Sequence, residues 1–155
     1  MGRKKKKYRP QQFESLKGEG DTSANIYRSM LLSPAMKDLS SKQFELYVCA
    51  KSEYYGASAH DKDGFEDEYR NDPRYFTMNF GKFKKTGLYG MYTNKESFYK
   101  DIASLINHGF IDCEIDGYST RSKSLFKFSD RWKLWGTDRF ETPVSVMTTM
   151  MIRGL

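Results

Sequence analysis

The chain has 155 residues, which fits one domain with enough sequence to bury a real core. Aromatic residues make up 15% of it, which argues for a packed globule and against general disorder. No apolar run approaches the length of a membrane span, and the basic N-terminus is not followed by the apolar stretch of a signal peptide.

The charge is uneven. Arg3, Lys4, Lys5, Lys6, Lys7 and Arg9 carry the whole formal excess of +6, because the rest of the chain balances. Such a stretch reads as a flexible arm that finds phosphates. Gln11–Ser23 is polar, holds Gly18 and Gly20, and reads as linker, so residues 1–24 form arm and linker. Asn25–Leu32 is apolar enough to pack as either strand or helix. Ser33-Pro34 starts a short helix over Pro34–Asp38, with Pro in the first helical position.

Ser40 and Gln43 form an S-x-x-Q capping box, with Leu39 placed to staple against Phe44. The helix they open runs to about Tyr55 and stops at Gly56. Phe44, Leu46, Tyr47, Val48, Cys49 and Ala50 make it apolar nearly all round, as a central core helix requires. Ala57–Pro73 reads as a long acidic loop: Asp61, Asp63, Glu66, Asp67, Glu68 and Asp72 outnumber Lys62 and Arg70. Its D-K-D-G string places the glycine wrongly for an EF-hand, so no metal site is expected.

Tyr75–Phe80 alternates Phe76, Met78 and Phe80 as a short strand does. Gly81–Thr86 reads as one or two helical turns closed by Gly87, followed by a turn over Leu88–Tyr92. Thr93 and Glu96 then form a T-x-x-E capping box. Phe98, Ile102, Leu105 and Ile106 make one apolar stripe at helical spacing, and Gly109 stands where a left-handed stop is wanted. The opposite face carries Glu96, Ser97, Lys100, Ser104 and Asn107. Short helix, glycine-containing turn and amphipathic helix together read as a helix-turn-helix, with Thr93–His108 as recognition helix.

Phe110–Ile115 and Leu125–Phe128 read as two strands of a hairpin whose tip carries Arg121 and Lys123. A helix running straight into a hairpin with a basic tip is a winged-helix layout. The helix enters the major groove and the wing touches backbone or minor groove. Residues 82–100 hold Lys82, Lys84, Lys85, Lys95 and Lys100 against Glu96, a net of +4. Residues 121–133 hold Arg121, Lys123, Lys127, Arg131 and Lys133 against Asp130, also +4. Ser129 is expected to cap a short helix to Trp135, with both tryptophans in the core. The apolar segment 141–155, with Val144, Val146, Met147, Met150, Met151 and Ile152, is expected to dock or to pair with a second copy.

The strings SPAMKDLSSKQFELY, KESFYKDIASLINHGFID and LFKFSDRWKLWGTDRF resemble a winged-helix family of Gram-positive plasmids and conjugative elements. That family is similar to the winged-helix domains of plasmid replication initiators. The resemblance covers about residues 27–140. It implies DNA binding at plasmid- or element-encoded sites, and a replication or transfer protein as a possible partner. Full initiators usually have two winged-helix units where this chain has one, which implies an accessory protein or regulator.

Catalysis is not expected. His60 and His108 are far apart, and Tyr54 and Tyr55 have no histidine cluster beside them, unlike nicking enzymes. There is no Walker loop, no zinc-spaced cysteine set and no G-x-S-x-G. His108 sits at a helix end, where its role reads as structural. Cys49 and Cys113 read as reduced core thiols of a cytoplasmic protein. The expectation is an α+β winged helix-turn-helix domain over residues 25–140: helices, a short strand and a C-terminal β-hairpin wing. It binds double-stranded DNA without cofactor, metal or membrane contact, and the possible homodimer would suit paired half-sites. DNA contacts are expected from Asn94, Lys95, Ser97, Lys100 and Ser104 on the recognition helix. Arg121 and Lys123 on the wing, Lys82, Lys84 and Lys85 on the preceding helix, and the arm complete the set. A transcriptional regulator on the same fold, or a module that contacts protein instead of DNA, are the alternatives.

Overall fold

The chain folds around two helices crossed over a small sheet. The computed structural model describes residues 9, 11–15, 17, 18, 21–54, 62–78, 80–84, 87–89, 95–117 and 123–141. Every described residue from 9 to 23 is exposed, and that stretch holds only a short 3-10 turn over Gln12–Glu14, as a linker should. The apolar segment 25–32 resolves as a helical turn, α1 (Arg28–Leu31). Helix α2 (Pro34–Asp38) begins as expected: the Ser33 hydroxyl accepts from the Met36 N–H at 3.2 Å.

Helix α3 (Ser41–Tyr54) starts at a formed capping box. The Gln43 N–H donates to Ser40 Oγ at 3.2 Å, and the Ser40 N–H donates to Gln43 Oε1 at 3.1 Å. Leu46, Tyr47 and Ala50 are fully buried, while Phe44 and Cys49 pack at the edge of the core.

The acidic stretch is more ordered than a solvated loop. It contains α4 (Asp67–Arg70), and Lys62 is only 1% exposed. The Lys62 ammonium donates to the carbonyls of Tyr69 at 2.9 Å and Asp72 at 2.8 Å. Each carbonyl also accepts a backbone N–H, from Asp72 at 3.3 Å and from Tyr75 at 3.2 Å, so the buried ammonium adds a second, charged donor to oxygens at and just beyond the end of α4. A charge count could not separate this lysine from a solvated one. Asp63 and Asp67 pair with Arg70, and Asp72 with Arg74.

Strand β1 (Tyr75–Thr77) is shorter than the expected Tyr75–Phe80, and Phe80 opens α5 (Phe80–Lys84). The ladder runs out: Thr77 already faces Leu125, the first residue of β3 (Leu125–Phe128). Strand β2 (Ile111–Ile115) also pairs antiparallel with β3, so the sheet order is β1-β3-β2. Its core face carries Phe76, Cys113 and Phe126, all buried. The opposite face carries Tyr75, against which Tyr69 packs edge-on at 4.9 Å. The acidic segment is thereby seated on the outer face of the sheet.

Helix α6 (Lys95–Asn107) buries Phe98, Ile102, Leu105 and Ile106, the expected stripe, plus Asp101 and Ala103. Phe98 is the hub of an aromatic cluster with Phe80, Phe83 and Tyr89, at centroid distances of 5.9, 5.8 and 5.4 Å. Burying one such ring stabilises the fold by about 1.5–3 kcal/mol. The expected short helix after Ser129 is a 3-10 turn over Arg131–Leu134, with Trp132 buried and Trp135 half-buried. Cys49 and Cys113 are thiols and not a disulfide, and burial pushes the Cys113 thiol up to about 12. No helix of the described residues is long and apolar enough to cross a membrane.

Candidate nucleic-acid interface

The site is built on α6, and three attachments hold that helix. At its C-terminal end the chain leaves through a complete Schellman motif. The Phe110 N–H donates to the Leu105 carbonyl at 3.0 Å, and the Gly109 N–H to the Ile106 carbonyl at 3.1 Å. Gly109 has φ +83°, and a Cβ there would lie 2.5 Å from the Trp132 nitrogen. Only glycine admits both the left-handed backbone and that close approach.

Arg131 is the second attachment. Its Nε donates to Asp112 at 2.8 Å, and its Nη2 donates to the Ile106 carbonyl at 2.9 Å. One guanidinium thus ties the end of α6 to β2. The local charge count had placed this residue in the basic wing region, but its charge is matched by Asp112 inside the fold. The third attachment is at the middle of α6. The Tyr89 hydroxyl donates to Asp101 at 2.7 Å, and Gln43 Nε2 reaches the same carboxylate at 3.5 Å. Burial, reinforced by the Asp101 carboxylate, pushes the Tyr89 hydroxyl far above its usual pKa, so it stays a donor. Lys42 lies over the Tyr89 ring at 4.3 Å. Neither Tyr89 nor Asp101 stood out in the sequence. The signal was an acidic residue one position before the apolar Ile102, inside an otherwise apolar arc.

With the helix so held, the outward face carries Glu96 and Lys100 exposed, and Ser97, Ser104 and Asn107 half-buried. Lys95 is exposed but about 140° round the axis from Lys100, so it does not share that face. Ser104 is partly engaged: its carbonyl lies 2.6 Å from His108 Nδ1 and its hydroxyl 3.3 Å from the same nitrogen. His108 Nε2 lies 2.8 Å from Asp38, and its ring stacks on Trp135 at 5.0 Å, so this histidine ties α6 to α2.

Lys123 is exposed just before β3. Lys82 and Lys84 lie on α5, which packs Phe83 into the core. Arg9 is exposed ahead of the linker. Asn94, Lys85, Arg121, Arg3, Lys4, Lys5, Lys6 and Lys7 lie outside the described residues. So do Thr93 of the second capping box, His60, Asp61, Tyr55, Gly56, Gly90 and the apolar segment from residue 142 onward. Among the described residues, no three His, Cys, Asp or Glu side chains gather where they could hold a metal ion. Chemically the face offers hydroxyls, an amide, one ammonium and the Glu96 carboxylate, groups that hydrogen-bond and whose formal charges cancel. Comparison with protein-family models, curated proteins and solved structures finds no match.

Proposed function

We propose that this chain is a non-catalytic double-stranded DNA-binding protein, with α5 and α6 as a helix-turn-helix and the β2–β3 hairpin as its wing. The observation that carries the reading is the rigid mounting of α6. It is held at its middle and at its C-terminal end, and turns Ser97, Lys100 and Ser104 outward before running directly into the hairpin. A helix that reads base edges must hold its side chains in register with the groove, and a clamped rod with a polar, lysine-bearing face is suited to that. The element order α3–α4–β1–α5–α6–β2–β3 and the sheet order β1-β3-β2 support the winged reading. The resemblance to proteins of plasmids and conjugative elements supports a role accessory to replication or DNA transfer. The basic residues from Arg3 to Arg9 would add phosphate contacts without sequence information.

The test is footprinting on the DNA that encodes the protein, followed by anisotropy titration of the protected duplex. Lys100→Ala should weaken binding to that duplex by about 1–3 kcal/mol with the melting temperature unchanged. Unchanged affinity would remove α6 from the interface and favour a protein partner for this face.

A further inference from the structure

A second surface lies away from the outward face of α6. It is a cleft of about 710 Å³ between α1, α3 and the end of β3, and none of its described lining residues comes from α6. Five cationic side chains line it, Lys51, Arg74, Lys127, Arg131 and Lys133, against three carboxylates, Asp112, Asp130 and Glu141. Arg131 binds Asp112 and Arg74 binds Asp72, so those two pairs are neutral. Asp130 lies 3.8 Å from Lys133 and both are exposed, a weak pair in water.

The cations are interleaved with rings. Lys51 lies 5.0 Å from the Phe128 centroid and Lys133 5.8 Å from Trp132. At the mouth stands Tyr27, 69% exposed, the most open aromatic side chain of the cleft. A cationic groove with an aromatic face turned to solvent is how proteins hold unpaired nucleotides: the phosphate meets the cations and the base stacks. The volume suits a nucleotide or two, and it is too small for a duplex.

We propose that this cleft is a second nucleic-acid site that takes a nucleotide of a single strand, its base on Tyr27 and its phosphate among Lys51, Lys127 and Lys133. Burial lowers the pKa of the Lys51 ammonium, and a bound phosphate offsets that loss of solvation. The site goes beyond duplex binding by α6 and does not depend on it.

The experiment titrates the full chain against a fluorescein-labelled oligothymidine strand and an abasic strand of equal length. Both feel the basic arm, so the ratio of their affinities isolates base stacking. The thymidine strand should bind more tightly, and Tyr27→Ala should cut that preference on the order of tenfold. Lys127→Ala with Lys133→Ala should weaken both strands. Circular dichroism checks that each variant folds, which the exposure of Tyr27 and Lys133 favours. Lys100→Ala should leave the preference intact, so this site and the duplex reading fail separately. Equal affinity for the two strands, or a preference that survives Tyr27→Ala, overturns the proposal. Displacement of the strand by thymidine monophosphate at the strand's own concentration also overturns it, in favour of a free nucleotide.

Discussion

Residues 82–100 and 121–133 carry the same net charge, +4 each, yet the fold uses them differently. In the first stretch, Lys95 and Lys100 stand exposed on a helix whose other faces are packed. In the second, Arg131 is bound into the joint between α6 and β2, Lys127 lies half-buried over Tyr75, and Lys133 sits near Asp130. The difference lies in reach and geometry. A guanidinium is a planar fork with five donors and can satisfy several carbonyls and a carboxylate together; an ammonium on a solvated helix face cannot. Equal charge in a sequence therefore says little about how much of it is offered to a ligand.

The largest expected effect comes from breaking the seat on which the second stretch rests. Gly109→Ala forces a Cβ to within 2.7 Å of the Arg131 carbonyl carbon at a positive φ, and should destabilise the fold by about 3 kcal/mol in urea denaturation. A loss under 1 kcal/mol would mean the joint gives way easily.

Arg131→Ala comes next. It leaves the part-buried Asp112 carboxylate without its guanidinium and removes the charged one of two donors to the Ile106 carbonyl, which should cost about 2–3 kcal/mol of stability. Lys133→Ala, two residues away, should change stability by less than about 0.5 kcal/mol. Similar melting temperatures for the two variants would erase the distinction between them.

The smallest effect concerns a basic residue that precedes both stretches. Hydrogen bonds from Arg74 hold the Asp72 carboxyl down at about 2. Its folded value lies below the ordinary carboxylate value of 3.8, so this clasp stabilises the fold above that value. The contribution fades as pH falls toward about 2. Arg74→Ala should move the Asp72 carboxyl resonance midpoint in a carbon-13 NMR titration toward the ordinary value. An unmoved midpoint would assign the shift to something other than the arginine.

The features that were legible in the sequence are those enforced by near neighbours. The Ser40–Gln43 box, the Ser33-Pro34 start, the apolar stripe of α6 and the stop at Gly109 are each written within a few residues. What stayed hidden depends on partners far along the chain. Asp101 meets Tyr89 and Gln43, and Arg131 meets Asp112 and Ile106. Periodicity reports which way a side chain faces and nothing of what waits there. Lys62 was misread for that reason: its acidic neighbours suggested solvent, while the carbonyls at the end of α4 drew it inward. Phe80 was misread because an alternating pattern cannot show where a partner strand ends. On the outward face of α6, Lys100 is exposed as its helical position predicts, Lys95 stands exposed apart from that face, and Ser104 shares its polar groups with His108.

The sheet order has a consequence for how the chain is made. Its middle strand, β3, is the last of the three described strands to leave the ribosome, and β1 waits for Leu125–Lys127 before it has a partner. Until then two strand edges and the apolar faces of Phe76 and Cys113 have nothing to pair with, the exposure that chaperones answer during synthesis. Strand pairing between Tyr75 and Lys127 is also a distant closure along the chain, which slows folding relative to the local helices. A nascent chain halted before Leu125 should hold α3 against α6 loosely, with no sheet beneath them, and should be cut by protease where the finished protein is not.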